Sequence, residues 1–355
     1  MLPATMKATL LTGHGGPEKL VWHEDVPVPS PGPDEVLVRV LAAGVNNTDI
    51  NTRIGWYSKQ VTGATGADIA DRTIEAGGWS GALQFPRIQG GDLCGEVVSV
   101  GTGITGFKTG MRVTCAINQP EPTVENPLGF VSLGSEYDGA FAQYCCLPAR
   151  HLHNVSRSPL TDIEIAAIPC AHGTAFNLLS RAGVGAGDHV LITGASGGVG
   201  MATVELAKIL GATVTALSAP SKQLILLERG ADHVMDRDAA LAKHAYSAAI
   251  DVVGGDGFAR IVDALKPGGR YATSGAIAGP LVELDLRTLY LNDITLLGCT
   301  YTPPEVFSRL VEMVNDGSIR PLVSATYPLA DIHKAQADFI SKKYPGKLVL
   351  VPPSG

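Results

Sequence analysis

The chain has 355 residues, a length that predicts about two domains at roughly 150 residues each. Hydrophobic residues make up 45% and charged residues 17%, which is typical of a folded, enzyme-sized protein and excludes a disordered chain. The 27 basic and 34 acidic residues give a net charge of -7, without any run of like charge. Nucleic acid and anionic membranes are therefore not expected as partners.

No apolar stretch reaches the ~18 residues that a membrane span needs. The first residues also lack the charged region and long apolar core of a secretion signal. Six cysteines without a CxxC pair are typical of a reducing compartment. We therefore expect a cytoplasmic protein that has neither a disulfide framework nor a cysteine-rich structural zinc site.

The first half of the chain, to about residue 155, is predicted to form a mostly antiparallel β domain. Its β-branched segments at 35–45, 95–101 and 111–117 are punctuated by Gly and Pro, as in short strands between turns. Residues 57–85 differ from this pattern because they are Gly-rich and only weakly periodic. Such a stretch is often a lid, and a surface insertion without a role is the alternative.

From about residue 162 the pattern changes to apolar strands alternating with helices, which predicts a parallel α/β sheet with right-handed crossovers. The six predicted strands are at 189–194, 213–218, 232–236, 248–254, 269–275 and 294–301. A helix near 303–317 and a strand at 346–352 follow, and we expect this tail to rejoin the first domain. The predicted domains are thus 1–160 with 302–355, and 161–301.

The strongest chemical signal is the turn GASGGVG at 194–200, which lies between an apolar strand and a helix. In a βαβ unit such a turn presents backbone N–H groups and the positive end of a helix to a pyrophosphate. Gly197 permits close approach and Gly200 permits tight helix packing, although Ala195 replaces the first glycine of the usual fingerprint. The predicted cofactor contacts here and at later strand ends are Ala195, Ser196, Gly197, Gly198, Val199, Gly254 and Ser274.

The end of the second strand of this unit indicates which dinucleotide binds. An NAD-binding protein places a carboxylate there for the ribose hydroxyls, and that charge repels a phosphate. This chain instead has Ser218 followed by Ala-Pro-Ser and Lys222, and Arg237 comes just after the third strand. We therefore predict NADP(H), with Ser218, Lys222 and Arg237 beside the ribose.

Motifs along nearly the whole chain resemble those of one superfamily. They are AAGVNNTDI (42–50), QGGDLCGEVVSVG (89–101), GAFAQYCCLPA (139–149), IPCAHGTAFNLL (168–179), LKPGGR (265–270), YPLADIHKAQADF (327–339) and GKLVLVP (346–352). In this order, with the glycine turn, they resemble the medium-chain dehydrogenase/reductase superfamily. The resemblance implies a GroES-like β domain and a Rossmann-fold domain, with the active site in the cleft between them.

The positions that hold catalytic zinc in the alcohol dehydrogenases of this superfamily are changed here. They are Asn46, Gly91, Asp92 and Cys170. Zinc needs three protein ligands, and Asn46 and Gly91 cannot supply two of them. We therefore predict no metal site. Without zinc, the segment GVNNTDINTRIGWY resembles the quinone oxidoreductase and enoyl reductase branch, whose members use NADPH to reduce a quinone or a C=C bond conjugated to a carbonyl.

The resemblance suggests catalytic roles for two residues of this segment. Tyr57 matches the tyrosine with which enoyl reductases stabilise an enolate and donate a proton, and Asn46 could donate its amide N–H to the substrate carbonyl or to the nicotinamide ribose. Thr48 is expected to contact the cofactor. Thr174, at the N-terminal end of its helix, is expected to contact the nicotinamide side or a phosphate of the cofactor. The alternatives are a zinc alcohol dehydrogenase and a non-catalytic NADPH-binding structural or sensor protein. The apolar edge strand at 294–301 favours a homodimer.

Overall fold

The computed structural model describes residues 2–65, 77–79 and 81–354. The contacts divide the described residues into two compact units. Unit 1 comprises those of Met1–Val61, Asp68–Cys170 and Phe307–Gly355, and unit 2 comprises those of Thr62–Ala67 and Ala171–Val306. Part of the predicted insertion at 57–85 falls outside this description, because 66–76 and 80 are not described. Its role as a lid or as a surface insertion stays a prediction.

Unit 1 is built mainly of antiparallel strands. In chain order its strands are β1 (Thr5–Leu11), β2 (Leu20–Pro27), β3 (Glu35–Gly44), β4 (Arg87–Ile88), β5 (Cys94–Val100), β6 (Arg112–Cys115), β7 (Asn118–Pro120), β8 (Phe130–Ser132), β9 (Tyr144–Pro148) and β10 (Leu152–Asn154). The helices of this part of the chain are α1 (Asn47–Arg53) and α2 (Asp162–Ala166), and α3 (Pro169–Arg181) crosses the boundary between the units.

Unit 2 follows with alternating strands and helices. Its elements are β11 (His189–Ile192), α4 (Gly198–Ile209), β12 (Thr213–Ser218), α5 (Gln223–Glu228), β13 (His233–Asp236), β14 (Tyr246–Asp251), α6 (Phe258–Asp263), β15 (Leu265–Thr273), α7 (Leu286–Leu291) and β16 (Thr295–Gly298). The chain returns to unit 1 through α8 (Pro304–Asp316), β17 (Val323–Pro328), α9 (Ile332–Ile340) and β18 (Lys347–Val351).

The six strands of unit 2 form one parallel sheet in the order β13-β12-β11-β14-β15-β16, which confirms the predicted Rossmann-like sheet. Central strands of such a sheet are covered on both faces and are therefore apolar throughout. Val190, Leu191 and Ile192 of β11 are all fully buried. This order leaves β16 at one edge and brings the carboxyl ends of all six strands to one side of the sheet.

The main sheet of unit 1 has the order β10-β6-β5-β3-β18-β17, and β9 also pairs with β3. Val36 and Val38 of β3 pack with Phe141 and Leu350 in its buried core. Strand β18 pairs antiparallel with β3, with Val349 opposite Gly44, so the tail joins the main sheet of unit 1. The last strand is therefore placed directly beside the start of α1, where the candidate site of this unit lies.

Candidate active site

The turn from Gly194 to Gly200 joins β11 to α4 within unit 2. Gly194 adopts φ +56°, in the left-handed region that favours glycine, and Gly197 is the residue before α4. A Cβ atom at Gly200 would lie 2.3 Å from the carbonyl oxygen of Gly194, so the helix packs directly on the turn. The N–H groups of the first helical turn have no partner inside the helix, which suits them to bind phosphate.

The predicted residues of this turn differ in what they expose. Ala195 is fully buried, so only its backbone could face a cofactor. Gly197 is exposed, and Ser196, Gly198 and Val199 are half-buried. The turn therefore offers mostly backbone to a ligand, which agrees with its glycine content.

Two hydroxyl groups at the carboxyl edge of the sheet are buried without a hydrogen-bond partner. They are Oγ of Ser218, the last residue of β12, and Oγ of Ser274, which follows β15. Buried polar atoms are normally satisfied, and ligands of open α/β sheets bind at this edge. Both hydroxyls therefore fit a polar ligand such as a dinucleotide.

Lys222 and Arg237 bring positive charge to the same edge. Lys222 follows β12 by four residues, and Arg237 comes directly after Asp236, which lies opposite Ser218 in the parallel pairing of β12 and β13. Burial lowers the pKa of Lys222, and the positive charge of Arg237 lowers it further. The two cations therefore lie close enough to repel each other, and a bound anion would relieve that repulsion.

Thr174 differs from its expected position at the beginning of a helix. Helix α3 starts at Pro169, so Thr174 is the sixth residue and lies in the second turn. Its backbone N–H is consequently committed to the helix, and only its side chain could reach a cofactor. The prediction of the helix start was wrong because Pro169, a favoured first residue of helices, was not used as a start signal.

Asp251, which the sequence did not indicate as a site residue, organises the carboxyl edge of three strands in unit 2. The Asp251 carboxylate is fully buried and accepts hydrogen bonds from Val253 N at 2.7 Å and from Tyr271 Oη at 2.6 Å. It also accepts from Gly254 N at 3.2 Å and from the Thr193 hydroxyl. Gly254, a predicted cofactor contact, is thus held in place by this carboxylate. An aspartate inside the apolar segment AAIDVVG was the available signal.

Tyr57, the predicted proton donor, and Thr48, a predicted cofactor contact, lie together in unit 1. The Tyr57 hydroxyl donates a hydrogen bond to Thr48 Oγ1 at 3.0 Å, and its ring contacts Trp79 edge to face at 5.5 Å between centroids. Burial raises the pKa of Tyr57 to about 12, although hydrogen bonding with Thr48 opposes the rise. The phenol therefore stays protonated at neutral pH and retains a proton that it could donate.

Asn46 is 5% exposed, and its side chain is directed into unit 1. Its Nδ2 donates to Asp92 Oδ2 at 2.9 Å, and its Oδ1 accepts from Lys347 Nζ at 2.5 Å. The Lys347 ammonium also contacts Asp92 Oδ2 at 2.8 Å. Direct donation from Asn46 to a substrate stays a prediction, and it would require the amide to leave one of these partners.

A second buried carboxylate lies beside this group. Asp49 accepts a hydrogen bond from Asn46 N at 2.7 Å. Burial raises the pKa of Asp49 to about 7, the Asn46 hydrogen bond opposes this, and the Asp92 charge raises it while Lys347 lowers it. With Asp49 protonated, the buried group has one ammonium and one carboxylate, and its charges balance.

The residues at the zinc-ligand positions do not fit a catalytic zinc ion. Gly91 has no side chain, and a Cβ atom there would lie 2.2 Å from Ile117 Cδ1. The Asp92 carboxylate already binds the Lys347 ammonium. In the described part of the chain, no three His, Cys, Asp or Glu side chains cluster so as to hold a metal. Zinc needs three such ligands, which this donor set does not provide.

Comparison with known proteins identifies the family. The model of the alcohol dehydrogenase GroES-like domain matches residues 32–157, and that of the zinc-binding dehydrogenase matches residues 198–316. A solved structure from Sinorhizobium meliloti 1021, provisionally described as an alcohol dehydrogenase, is 41% identical with a TM-score of 0.88, covering 99% of this chain and 98% of its own. The chain belongs to the medium-chain dehydrogenase/reductase superfamily.

Within this superfamily the chain is placed in the quinone oxidoreductase and enoyl reductase branch. It is 27% identical to an acryloyl-coenzyme A reductase of Sulfurisphaera tokodaii, over 98% of this chain and 100% of the relative. It is also 27% identical to a quinone oxidoreductase of Rattus norvegicus, over 98% of both chains. Superfamily membership makes the chain an oxidoreductase with a nicotinamide cofactor.

None of the described helices has the length and apolar character to cross a membrane.

Proposed function

We propose that this protein is an NADPH-dependent reductase that transfers hydride, without zinc, to a quinone or to the conjugated C=C bond of an enone or enal. The observation that carries the proposal is the protonated Tyr57 phenol held against Thr48, in a unit whose donor set does not fit zinc. The names of the acryloyl-coenzyme A and quinone reductases support it. Both kinds of acceptor contain a C=C bond conjugated to a carbonyl.

The residues of unit 2 would hold the cofactor. The backbone of Gly194–Gly200 would bind the pyrophosphate, and the Ser218 and Ser274 hydroxyls would find in the bound dinucleotide the partners that they lack. When bound, the reduced nicotinamide supplies a hydride. Asp251 would hold the turn at Gly254 in the conformation that contacts the bound dinucleotide.

The residues of unit 1 would stabilise the negative charge that develops on the substrate and would supply the proton that neutralises it. Arrival of a hydride at the β-carbon of an enone leaves negative charge on the carbonyl oxygen. The Tyr57 O–H would turn from Thr48 Oγ1 to that oxygen and then transfer its proton. The Thr48 hydroxyl would donate to the phenolate that remains until water returns the proton. Thr48 would thus orient the Tyr57 hydroxyl and stabilise its phenolate, in addition to its predicted contact with the cofactor.

The preference for NADPH is proposed from Lys222 and Arg237. Their positive charges lie near the end of β12, close enough that Arg237 lowers the pKa of Lys222. We expect Lys222→Ala to weaken NADPH binding about tenfold while NADH binding changes little, because hydrogen bonds to charged groups contribute roughly 1.5–3 kcal/mol. Calorimetric titration with both dinucleotides measures this, and Lys243→Ala, at an exposed lysine of the same unit, is the control. An unchanged ratio of the two affinities would contradict the NADPH assignment. Asp236, which lies opposite Ser218, would then be the residue to test for an NADH preference.

The proposed activity is tested by a screen of enones, enals and quinones with NADPH consumption as the readout, with and without a metal chelator. The proposal requires turnover that the chelator does not reduce. Loss of activity in chelator, together with zinc in the purified protein, would favour the zinc alcohol dehydrogenase. Tight NADPH binding without turnover of any acceptor would favour the non-catalytic structural or sensor protein.

A homodimer is proposed from the edge of the unit 2 sheet. Strand β16 lies at that edge, Leu296 within it is 39% exposed, and Leu286 and Leu291 of the preceding helix are also exposed. Exposed apolar side chains on an edge strand favour pairing with a second copy. Light scattering should give twice the 36.9 kDa of one chain at micromolar concentration, and a monomer would contradict the dimer.

The proposed location is the cytoplasm, since all six cysteines are free.

A further inference from the structure

The ammonium group of Lys347, at the first position of β18, is a buried charge of unit 1. Lys347 is 3% exposed. Its Nζ donates to Val45 O at 3.0 Å, to Asn46 Oδ1 at 2.5 Å and to Asp92 Oδ2 at 2.8 Å. An ammonium has three N–H donors, and each has an acceptor here. The group is therefore fully satisfied and held in one position.

The partner carboxylate is enclosed to the same degree. Asp92 is fully buried, and its Oδ2 accepts from both Lys347 and the Asn46 amide. Its Oδ1 accepts from Cys170 N at 2.6 Å. The two ends of the Asn46 amide are thus held by opposite charges, the oxygen by the ammonium and the nitrogen by the carboxylate. Only one orientation of the amide satisfies both contacts.

Stability alone is a weak reason for such a buried ion pair. Removing two charges from water costs about as much as their attraction returns, and apolar side chains of similar volume often serve equally well. The best-attested use of a buried polar group is to select one arrangement of its surroundings. What this pair selects is the arrangement of Asn46, because both of its amide groups are engaged.

Asn46 connects the ion pair to the proposed proton donor. It is the residue immediately before α1, and its backbone N–H is bound by Asp49, which completes the first turn. Thr48 is the second residue of that turn, and its hydroxyl accepts from Tyr57 at 3.0 Å. A shift at Asn46 would therefore displace the group that orients the phenol.

We propose that Lys347 is a positioning residue, whose ammonium and its partner Asp92 lock Asn46 and thereby fix the first turn of α1 that presents Thr48 to Tyr57. The proposal rests on the proposed role of Tyr57 as proton donor. In this proposal Asn46 is also a positioning residue, because it connects the ion pair to the first turn of α1.

The first test is Lys347→Met, which keeps the chain length of the side chain but removes the charge. We expect kcat for an enone to fall about tenfold, while KM for NADPH stays within about twofold because unit 2 is unaltered. Lys334→Met is the matched control, since it removes a lysine from an exposed pair with Asp338 in the same unit, and kcat should not change. An unchanged kcat in Lys347→Met would overturn the proposal.

Thermodynamic coupling separates positioning from a general structural role. In the Tyr57→Phe background, Lys347→Met should lower kcat by less than about twofold, because residues that act through one group are not additive. The full tenfold loss in that background would overturn the proposal. If Lys347→Met does not fold, Asn46→Ala takes its place, since it leaves the ion pair and cuts its connection to α1. The same non-additivity with Tyr57→Phe is then required.

A readout without substrate distinguishes failure of this inference from failure of the proposed function. Tyr57 stacks edge to face between Trp56 and Trp79, at 5.7 Å and 5.5 Å between ring centroids. Such contacts contribute to near-ultraviolet circular dichroism. Lys347→Met or Asn46→Ala should change this spectrum, whereas Lys334→Met should not. An unaltered spectrum would overturn the positioning role even if no acceptor were turned over. A spectral change with an inactive wild-type enzyme would count against the proposed function only.

Discussion

Replacing Gly200 with alanine should destabilise the protein without its cofactor by up to roughly 3 kcal/mol and should also weaken NADPH binding. The added Cβ would lie 2.3 Å from Gly194 O and 2.5 Å from Ala195 Cα. These are backbone atoms, so the turn itself must move and no side-chain rotation can relieve the contact. Overpacking of this kind costs up to roughly 3 kcal/mol, which is about a hundredfold in the folding equilibrium constant.

Gly197→Ala is the matched variant for this experiment. A Cβ at Gly197 would have Gly194 O at 3.4 Å as its nearest neighbour, an ordinary contact. Thermal unfolding of the unliganded variant should therefore match that of the wild type, while NADPH titration should show weaker binding, since the methyl group would face the phosphate. If Gly200→Ala kept both the wild-type unfolding temperature and the wild-type affinity, the tight packing of α4 on the turn would be wrong. Normal NADPH binding in Gly197→Ala would place the pyrophosphate elsewhere.

Tyr57→Phe should reduce kcat for an enone by tenfold or more and leave NADPH binding unchanged. General acids commonly contribute about 10² to 10⁴ in rate, and water can replace part of that contribution. The variant keeps the ring that contacts Trp79 and removes only the hydroxyl that binds Thr48. Single-turnover rates with a saturating acceptor would measure the effect on the chemical step.

The control for this variant is Tyr327→Phe, which removes a hydroxyl bound to Asp338 at 2.8 Å in the same unit. It should leave kcat unchanged. The acceptor also matters, because a reduced quinone can take its proton from water and an enolate gains more from a donor. A tenfold loss with enones and a small loss with quinones would therefore show that Tyr57 supplies the proton in enone reduction and not in quinone reduction. Unchanged turnover of both would remove Tyr57 from the mechanism.

The features that the sequence predicted well are local in the chain. The six strands of the parallel sheet are short apolar runs bounded by turn residues, and the glycine turn and its helix are contiguous, so periodicity and spacing suffice. Tyr57 and Thr48 belong to one short segment, but the hydrogen bond between them was not predicted. The helix start before Thr174 was wrong for a local reason, since Pro169 was not read as a start signal.

The features that the sequence did not reveal depend on contacts between distant segments. Asn46 was predicted to donate to the substrate carbonyl or to the nicotinamide ribose. Its partners in the structure, Asp92 and Lys347, come from distant parts of the chain. Nothing in the segment GKLVLVP shows that its lysine is buried rather than solvated, as most lysines are. Only the pairing of β18 with β3 brings that ammonium to the site.

The distance along the chain between Lys347 and Asp92 has a consequence for how the protein matures. They are 255 residues apart, and the entire parallel sheet is encoded between them. At about 5–20 residues per second, a ribosome would need roughly 10 to 50 s to add Lys347 after Asp92. Ala171–Val306 is completed before Lys347 is added, while Asp92 still lacks its counter-charge. On the proposed function, the residue that fixes the orientation of the Tyr57 proton donor is therefore among the last that the ribosome adds.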